Sequence, residues 1–127
     1  MKVKIYYHDT DCGGVVYYAN YLKYFEAART EHFEKAGLQL KELAGQGVMF
    51  VVAHQEVDYK FPARYSDELK ITSTIIDFSS VKLNFEHEVR NQADVLICRG
   101  QSLLVCVGCD LKPKAMPDEL RKKLKLE

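Results

Sequence analysis

The sequence predicts an α+β domain in which a curved five-stranded antiparallel sheet wraps around one long helix. Three observations predict it. One stretch, residues 19–36, places apolar side chains at helical spacing. Runs rich in β-branched and aromatic residues lie on both sides of it, one before and four after. The joints Ser79-Ser80 and Asn91–Asp94 are short and polar, as hairpin connections require, and strands joined that way run antiparallel. Strands of about ten residues span ~33 Å, whereas a ~17-residue helix is ~25 Å long, so the sheet can curl around the helix.

Taken in order, Val3–Tyr7 reads as the first strand. His8–Gly14 breaks the periodicity, and Gly13-Gly14 marks a turn with unusual backbone angles. In the helix that follows, Leu22, Phe25, Ala28, Phe33 and Ala36 form the apolar stripe, with Gly37 placed to end it as a left-handed cap. Leu40–Ala44 supplies one further helical turn. The four remaining strands are Met49–Tyr59, Leu69–Phe78, Val81–Arg90 and Val95–Leu111, with a polar, proline-containing turn at Phe61–Glu68. Alternation in Leu83–Val89 fits a sheet with one wet face, broken at His87. Pro117–Leu124 reads as a short helix with acids early and lysines late, as the helix dipole prefers. The whole chain, 1–127, is one domain with a short charged tail from about residue 112.

Composition narrows the function classes. With 47% apolar residues the chain has material for a core, and its 18 basic and 18 acidic residues cancel, so no global field favours nucleic acid. No apolar run approaches the ~20 residues of a membrane span, and no signal peptide follows the N-terminal lysines. A cytoplasmic protein with four free thiols is expected.

Six of the eight tyrosines lie between residues 6 and 24, around a turn that carries Asp9 and Asp11. Such a turn places a carboxylate beside an apolar, hydroxyl-lined cleft; either aspartate could equally cap the turn or the helix. Cys106 and Cys109 have CxxC spacing but no second ligand pair, and His32, His54 and His87 are scattered, so neither a metal nor another cofactor is expected. Glu26 and Arg29, three apart on the helix, read as an ordinary surface or interface pair. There is no nucleophile-elbow serine, P-loop or dinucleotide fingerprint.

The run YYHDTDCGGVVYYANYLKYFEAAR resembles the signature of the 4-hydroxybenzoyl-CoA thioesterase family of the hotdog superfamily. It is most similar to the bacterial short acyl-CoA thioesterases associated with the Tol–Pal system. The likeness continues through Phe61–Leu69 and covers roughly residues 3–111, leaving the charged end outside. The resemblance implies a hotdog fold and acyl-CoA hydrolysis, with Asp11 of Thr-Asp-x-x-Gly as the catalytic carboxylate and Asp9 as a turn residue. It places Tyr7 in the site, and Tyr18 where relatives commonly carry histidine. A phenol donates hydrogen bonds but is a poor base near neutrality. Tyr17, Arg64 and Lys82 are the candidate substrate contacts, the last two for the phosphates of coenzyme A.

A thioester carbonyl is already electrophilic, so hydrolysis needs one base or nucleophile and one stabiliser of the oxyanion. Backbone amides around Tyr17–Ala19 or Met49–Val51 are candidates for the second part. Two other readings stay open: an acyl-CoA hydratase or dehydratase, which would pair a histidine with a carboxylate, and a non-catalytic acyl-CoA-binding scaffold. Short to medium aliphatic acyl groups are expected, with aromatic ones the runner-up. Open sheet edges, and apolar residues in Leu96–Val105 that cannot all face one way, predict a homodimer or homotetramer.

Overall fold

A computed structural model describes residues 1–126. The elements run β1 (Lys2–Lys4), one 3-10 turn (Tyr7–Asp9), α1 (Asn20–Lys35), α2 (Leu40–Gly45), β2 (Met49–Tyr59), β3 (Glu68–Phe78), β4 (Lys82–Arg90), β5 (Leu96–Val107) and α3 (Asp118–Lys123). The five strands form one sheet in the order β1-β3-β4-β5-β2, every neighbouring pair antiparallel. Only β3–β4–β5 are joined as consecutive hairpins. β2 does not pair with the strand that follows it; it crosses to the far edge and pairs with β5 from Met49↔Val107 to Tyr59↔Cys98.

Helix α1 lies on the concave face. Its buried side is Tyr21, Tyr24, Phe25, Ala28, Arg29 and Phe33. Leu22, expected in the stripe, is exposed, because one residue is about 100° of turn away from the Tyr21–Phe25 face. The helix ends as anticipated at Gly37 (φ +84°), where Leu38 N–H donates to Phe33 O at 2.9 Å and Gly37 N–H to Glu34 O at 3.0 Å. Close approach of helix to sheet depends on Gly100 in β5. A Cβ there would meet Phe25 Cε2 at 2.5 Å, Phe25 Cζ at 2.8 Å and the Glu56 carbonyl at 3.0 Å.

Two clusters make the core, one around Phe25 with Ile5, Leu69, Ile71 and Val89, the other around Phe33 with Leu83, Phe85 and Leu104. The charged tail joins the second cluster: Met116, Leu120 and Leu124 are buried there, so α3 is docked rather than pendant.

β4 alternates without a break. Leu83, Phe85, His87 and Val89 all point inward, and His87 is completely buried. Its ring stacks on Phe25 with centroids 4.5 Å apart. Nδ1 lies 2.7 Å from Ser73 Oγ and Nε2 3.0 Å from Ser102 Oγ. Ser102 gives its own proton to Gln55 Oε1 at 2.6 Å and accepts from Arg29 Nη1 at 3.0 Å. With that hydroxyl spent as a donor, Nε2 carries the imidazole proton and Nδ1 accepts from Ser73. The network satisfies a buried polar group across four strands and the helix, at the position where alternation by hydrophobicity alone breaks.

The first and last strands are shorter than the sequence indicates. Tyr6 and Tyr7 leave β1 because Asp9 Oδ2 accepts the Tyr6 N–H at 2.9 Å, closing a 3-10 turn instead. β5 stops at Val107 because Gly108 N–H bonds to Lys112 O at 3.1 Å and Leu111 takes φ +62°, a turn in place of continued strand. No helix among the described residues is long and apolar enough to cross a membrane. All four cysteines are free, with Cys98 and Cys106 buried and Cys12 and Cys109 exposed. Burial pushes the Cys98 thiol up to about 12.

Candidate active site

Residues 9–17 form a tight loop between the first strand and α1. Thr10 bridges to Val16 and Val15 to Arg64, while Val16 N–H donates to Ala63 O at 2.8 Å. Gly14 takes φ +80°, which lets its N–H return to Asp11 O at 3.1 Å. Asp11 Oδ1 accepts the Gly13 N–H at 2.7 Å. A Cβ on residue 13 would stand only 3.1 Å from that oxygen, so the adjacent glycines are what let the carboxylate fold over its own turn. Asp11 is exposed, and Oδ2 has no protein partner among the described residues.

Asp9 is used differently. Its carboxylate caps the Tyr6 N–H, and its carbonyl accepts from Tyr17 N–H at 3.0 Å and Asn20 Nδ2 at 2.9 Å. These bonds tie the loop to the start of α1. Just before that helix, the N–H groups of Tyr18 and Ala19 have no acceptor among the described residues, whereas Tyr17 and Asn20 do. Two free amides at a helix N-terminus can hold an oxyanion.

Beside the loop is an open cleft of about 300 Å³ lined by Val15, Val16, Tyr18, Tyr21, Tyr59 and Phe61. Tyr18 is 62% exposed, and its ring meets Tyr59 edge-on at 6.4 Å. Tyr59 Oη donates to the Tyr18 carbonyl at 3.0 Å. Burial pushes the Tyr21 phenol up to about 12, so it stays protonated as a cleft wall. A hydrogen bond and charge contact with Tyr18 also raise the Tyr17 phenol.

The chain thus brings Asp11, Tyr17, Tyr18 and Arg64 to one end of the sheet. Tyr7 is 73% exposed and stacks flat on Tyr65, next to Arg64, with centroids 3.9 Å apart. Lys82 is not with them. It opens β4, whose far end, Arg90, pairs with Lys70 near the loop, and eight strand residues cover ~26 Å. Asn20 and Tyr21, within the motif-bearing run, and Phe61 were given no role by the sequence, and Tyr59 carries no local signal at all, since it reaches the cleft only because β2 ends under the start of α1. The Glu26–Arg29 surface pair is absent: Arg29 is buried on Ser102, and Glu26 Oε1 instead accepts from Thr30 Oγ1 at 3.3 Å. Among the described residues no group of side chains could hold a metal ion.

Comparison with known proteins fits this geometry. The thioesterase-like superfamily matches residues 6–124, running past the motif-bearing stretch into α3. An acyl-CoA thioester hydrolase, YbgC, of Escherichia coli O6:H1 is 37% identical over 119 residues, 93% of this chain and 89% of that one. Among solved structures, a DHNA-CoA thioesterase from Staphylococcus aureus superposes with a TM-score of 0.90 at 26% identity, covering 98% of this chain and 89% of that one. A 4-hydroxybenzoyl-CoA thioesterase variant holding its substrate gives a TM-score of 0.90 over 98% of this chain and 96% of that one. At 22% identity it speaks for the hotdog fold alone.

Proposed function

The chain belongs to the thioesterase-like superfamily, and from that premise we propose that it hydrolyses acyl-CoA thioesters to the free acid and CoA, with Asp11 as the driving carboxylate. The observation that carries this reading is the position of Asp11, on a glycine turn beside the Tyr18–Tyr59 cleft and two unclaimed amides. The carboxylate either takes a proton from water as it attacks, or bonds to the carbonyl carbon itself. The second route expels CoA thiolate and leaves a mixed anhydride for water to cleave. The Tyr18 and Ala19 N–H groups hold the oxyanion in both. Tyr17, Tyr7 and Arg64 flank the entry, with Arg64 available to a CoA phosphate. The site needs no cofactor. Thiol release measured across a series of acyl-CoA chain lengths, with crotonyl-CoA hydration assayed in parallel, tests this. Hydration without thiol release would make the protein a lyase, and neither activity would make it a binding scaffold.

Tyr18 orients substrate or water through its hydroxyl without moving a proton. Tyr18→Phe is expected to cost about tenfold or less in kcat, the worth of one hydrogen bond, and Tyr18→His to preserve or raise the rate. A Tyr18→Phe loss as deep as that of Asp11→Asn would assign the phenol a proton-transfer role.

The working unit is a dimer at minimum, and a tetramer fits the outer face. β2 is an eleven-residue edge strand with exposed Val51 and Val52, and twofold pairing of two such edges satisfies both. That pairing sets the Tyr59 end of one β2 against the Met49 end of the other. It brings Lys82 of the partner subunit to the Asp11 end, since Lys82 and Val51 both pair with Val105. Leu103 and Val105, half-buried on the outer face beside Val51, give a second contact surface for pairing dimers. Sedimentation equilibrium at micromolar concentration is expected to show no 14.6 kDa species, and a fully active monomer would refute the shared site. We place the activity in the cytoplasm, in keeping with the unpaired thiols.

A further inference from the structure

Arg29 is 8% exposed, yet its side chain's only hydrogen bond among the described residues is the one to the neutral hydroxyl of Ser102. No carboxylate lies within ion-pair distance of it among the described residues. A guanidinium carries five donors and cannot shed its charge to escape burial, and an uncompensated buried charge is strongly destabilising. Arg29 also lines a cavity of about 120 Å³ between the C-terminal half of α1 and the start of β2, whose other walls include Phe33, Leu40, Phe50 and Val52, with Glu26 and Thr30 at its rim. A largely apolar slot whose cation has no ion-pair partner suits a small body ending in an anion.

The dimer does not supply that anion from β2. Glu56 and Asp58, the acids on that strand, pair with Gln101 and Arg99 on the outer face, opposite to the helix. The Glu26 carboxylate at the mouth is exposed and engaged with Thr30. Nor does Arg29 serve its own Asp11: it stands nine residues, ~14 Å, along α1 from Asn20, beyond the reach of a short acyl chain held at the loop, and Phe50 lies nine residues, ~30 Å, from Tyr59 along β2. Twofold pairing of the β2 edges puts the slot beside the Tyr18–Tyr59 cleft of the other chain instead.

Resting on the thioesterase reading and the β2-paired dimer, we propose that Arg29 of one chain selects the acyl group attacked by Asp11 of the partner subunit, and that the preferred acyl group is short and ends in a carboxylate. Size sets the length: a ~150 Å³ apolar cavity accepts a benzene ring, so this one takes fewer than six non-hydrogen atoms. A carboxylate with one or two methylenes fills it. Planar, bidentate pairing with a guanidinium then makes the terminal carboxylate the recognised group.

The test compares succinyl-CoA with butyryl-CoA, which share chain length and differ in carboxylate against methyl. The native enzyme is expected to favour succinyl-CoA in kcat/KM by at least about tenfold, since a site built to pair a polar group discriminates strongly against the analogue lacking it. In Arg29→Met the ratio should fall to unity or below, and Arg29→Lys should keep part of it. Hybrid dimers of an Asp11→Asn chain with an Arg29→Met chain contain one site that has both groups only if they act across the interface. Restored succinyl-CoA selectivity in the hybrid is therefore expected. A native preference for butyryl-CoA overturns the proposal even if no Arg29 variant folds, and a hybrid without succinyl-CoA selectivity overturns the cross-chain placement. Failure on every acyl-CoA would instead refute the thioesterase reading beneath it.

Discussion

Asp11→Asn is expected to lower kcat by at least ~100-fold, the scale on which a positioned carboxylate acts, while the melting temperature stays close to native. The substitution isolates chemistry from structure. The side-chain carbonyl oxygen of asparagine can still accept the Gly13 N–H now held at 2.7 Å, so the glycine turn keeps its shape. What disappears is an oxygen able to take a proton or attack a carbonyl carbon. Asp9→Asn is the control. Its carboxylate is bound to the Tyr6 N–H and its backbone to Tyr17 and Asn20, so that change should act mildly, through loop order rather than through the reacting atoms. Paired measurements of kcat and thermal unfolding decide the matter, and near-full activity in Asp11→Asn would end the mechanism.

Acidification is expected to weaken the fold through His87. Burial, reinforced by the Arg29 charge, depresses its imidazole to about 3. The folded state therefore keeps His87 neutral while the unfolded chain binds a proton below its ordinary value of about 6.5. Stability from this group is complete above pH ~6.5 and is lost as pH falls toward 3, at up to ~1.4 kcal/mol per pH unit. Across the whole window the loss is roughly 5 kcal/mol, comparable to the total stability of many small domains. Glu88, held low chiefly by its hydrogen bond with Arg99, titrates in the same direction but keeps contact with solvent and contributes little. His87→Gln, which can still bond Ser73 and Ser102 but does not titrate, removes the larger part. Urea unfolding of both proteins between pH 4 and 7 is expected to give converging free energies at low pH. Parallel curves would mean that His87 takes up its proton without opening the core.

Local rules made the elements readable, and global ones hid their arrangement. Residues Met49–Tyr59 span β2 as the sequence reading placed it, because turn residues fence the run on both sides. The destination of β2 was not readable, since no local pattern says that a strand will skip its successor and pair with the last one. Tyr6 and Tyr7 have every strand propensity, and one carboxylate hydrogen bond from Asp9 overrides it. His87 and Arg29 were misplaced for a shared reason: polarity was taken as a sign of exposure. Each is inside because Ser102 and its neighbours satisfy it, which requires knowing which strands are adjacent. The Asp11 turn was legible through its glycines, whereas Tyr59 enters the site by way of the three-dimensional path alone.

The same strand order constrains how the chain is made. On a ribosome α1 and β2 emerge early, carrying the phenylalanines of the core, but Met49 must wait for Val107 and Tyr59 for Cys98 before either has a ladder. The β1–β3 pair and the β3–β4 and β4–β5 hairpins can form in order of synthesis. The helix can meet Leu69 and Ile71 of β3 first, but its floor is complete only with β5, and the docked Leu120 and Leu124 arrive later still. Long-range pairing of this kind is slow, because chain closure precedes its reward. Closure of the sheet therefore comes late, and until then the nascent chain displays a greasy helix and an unpaired strand to whatever chaperone or sister chain is nearby.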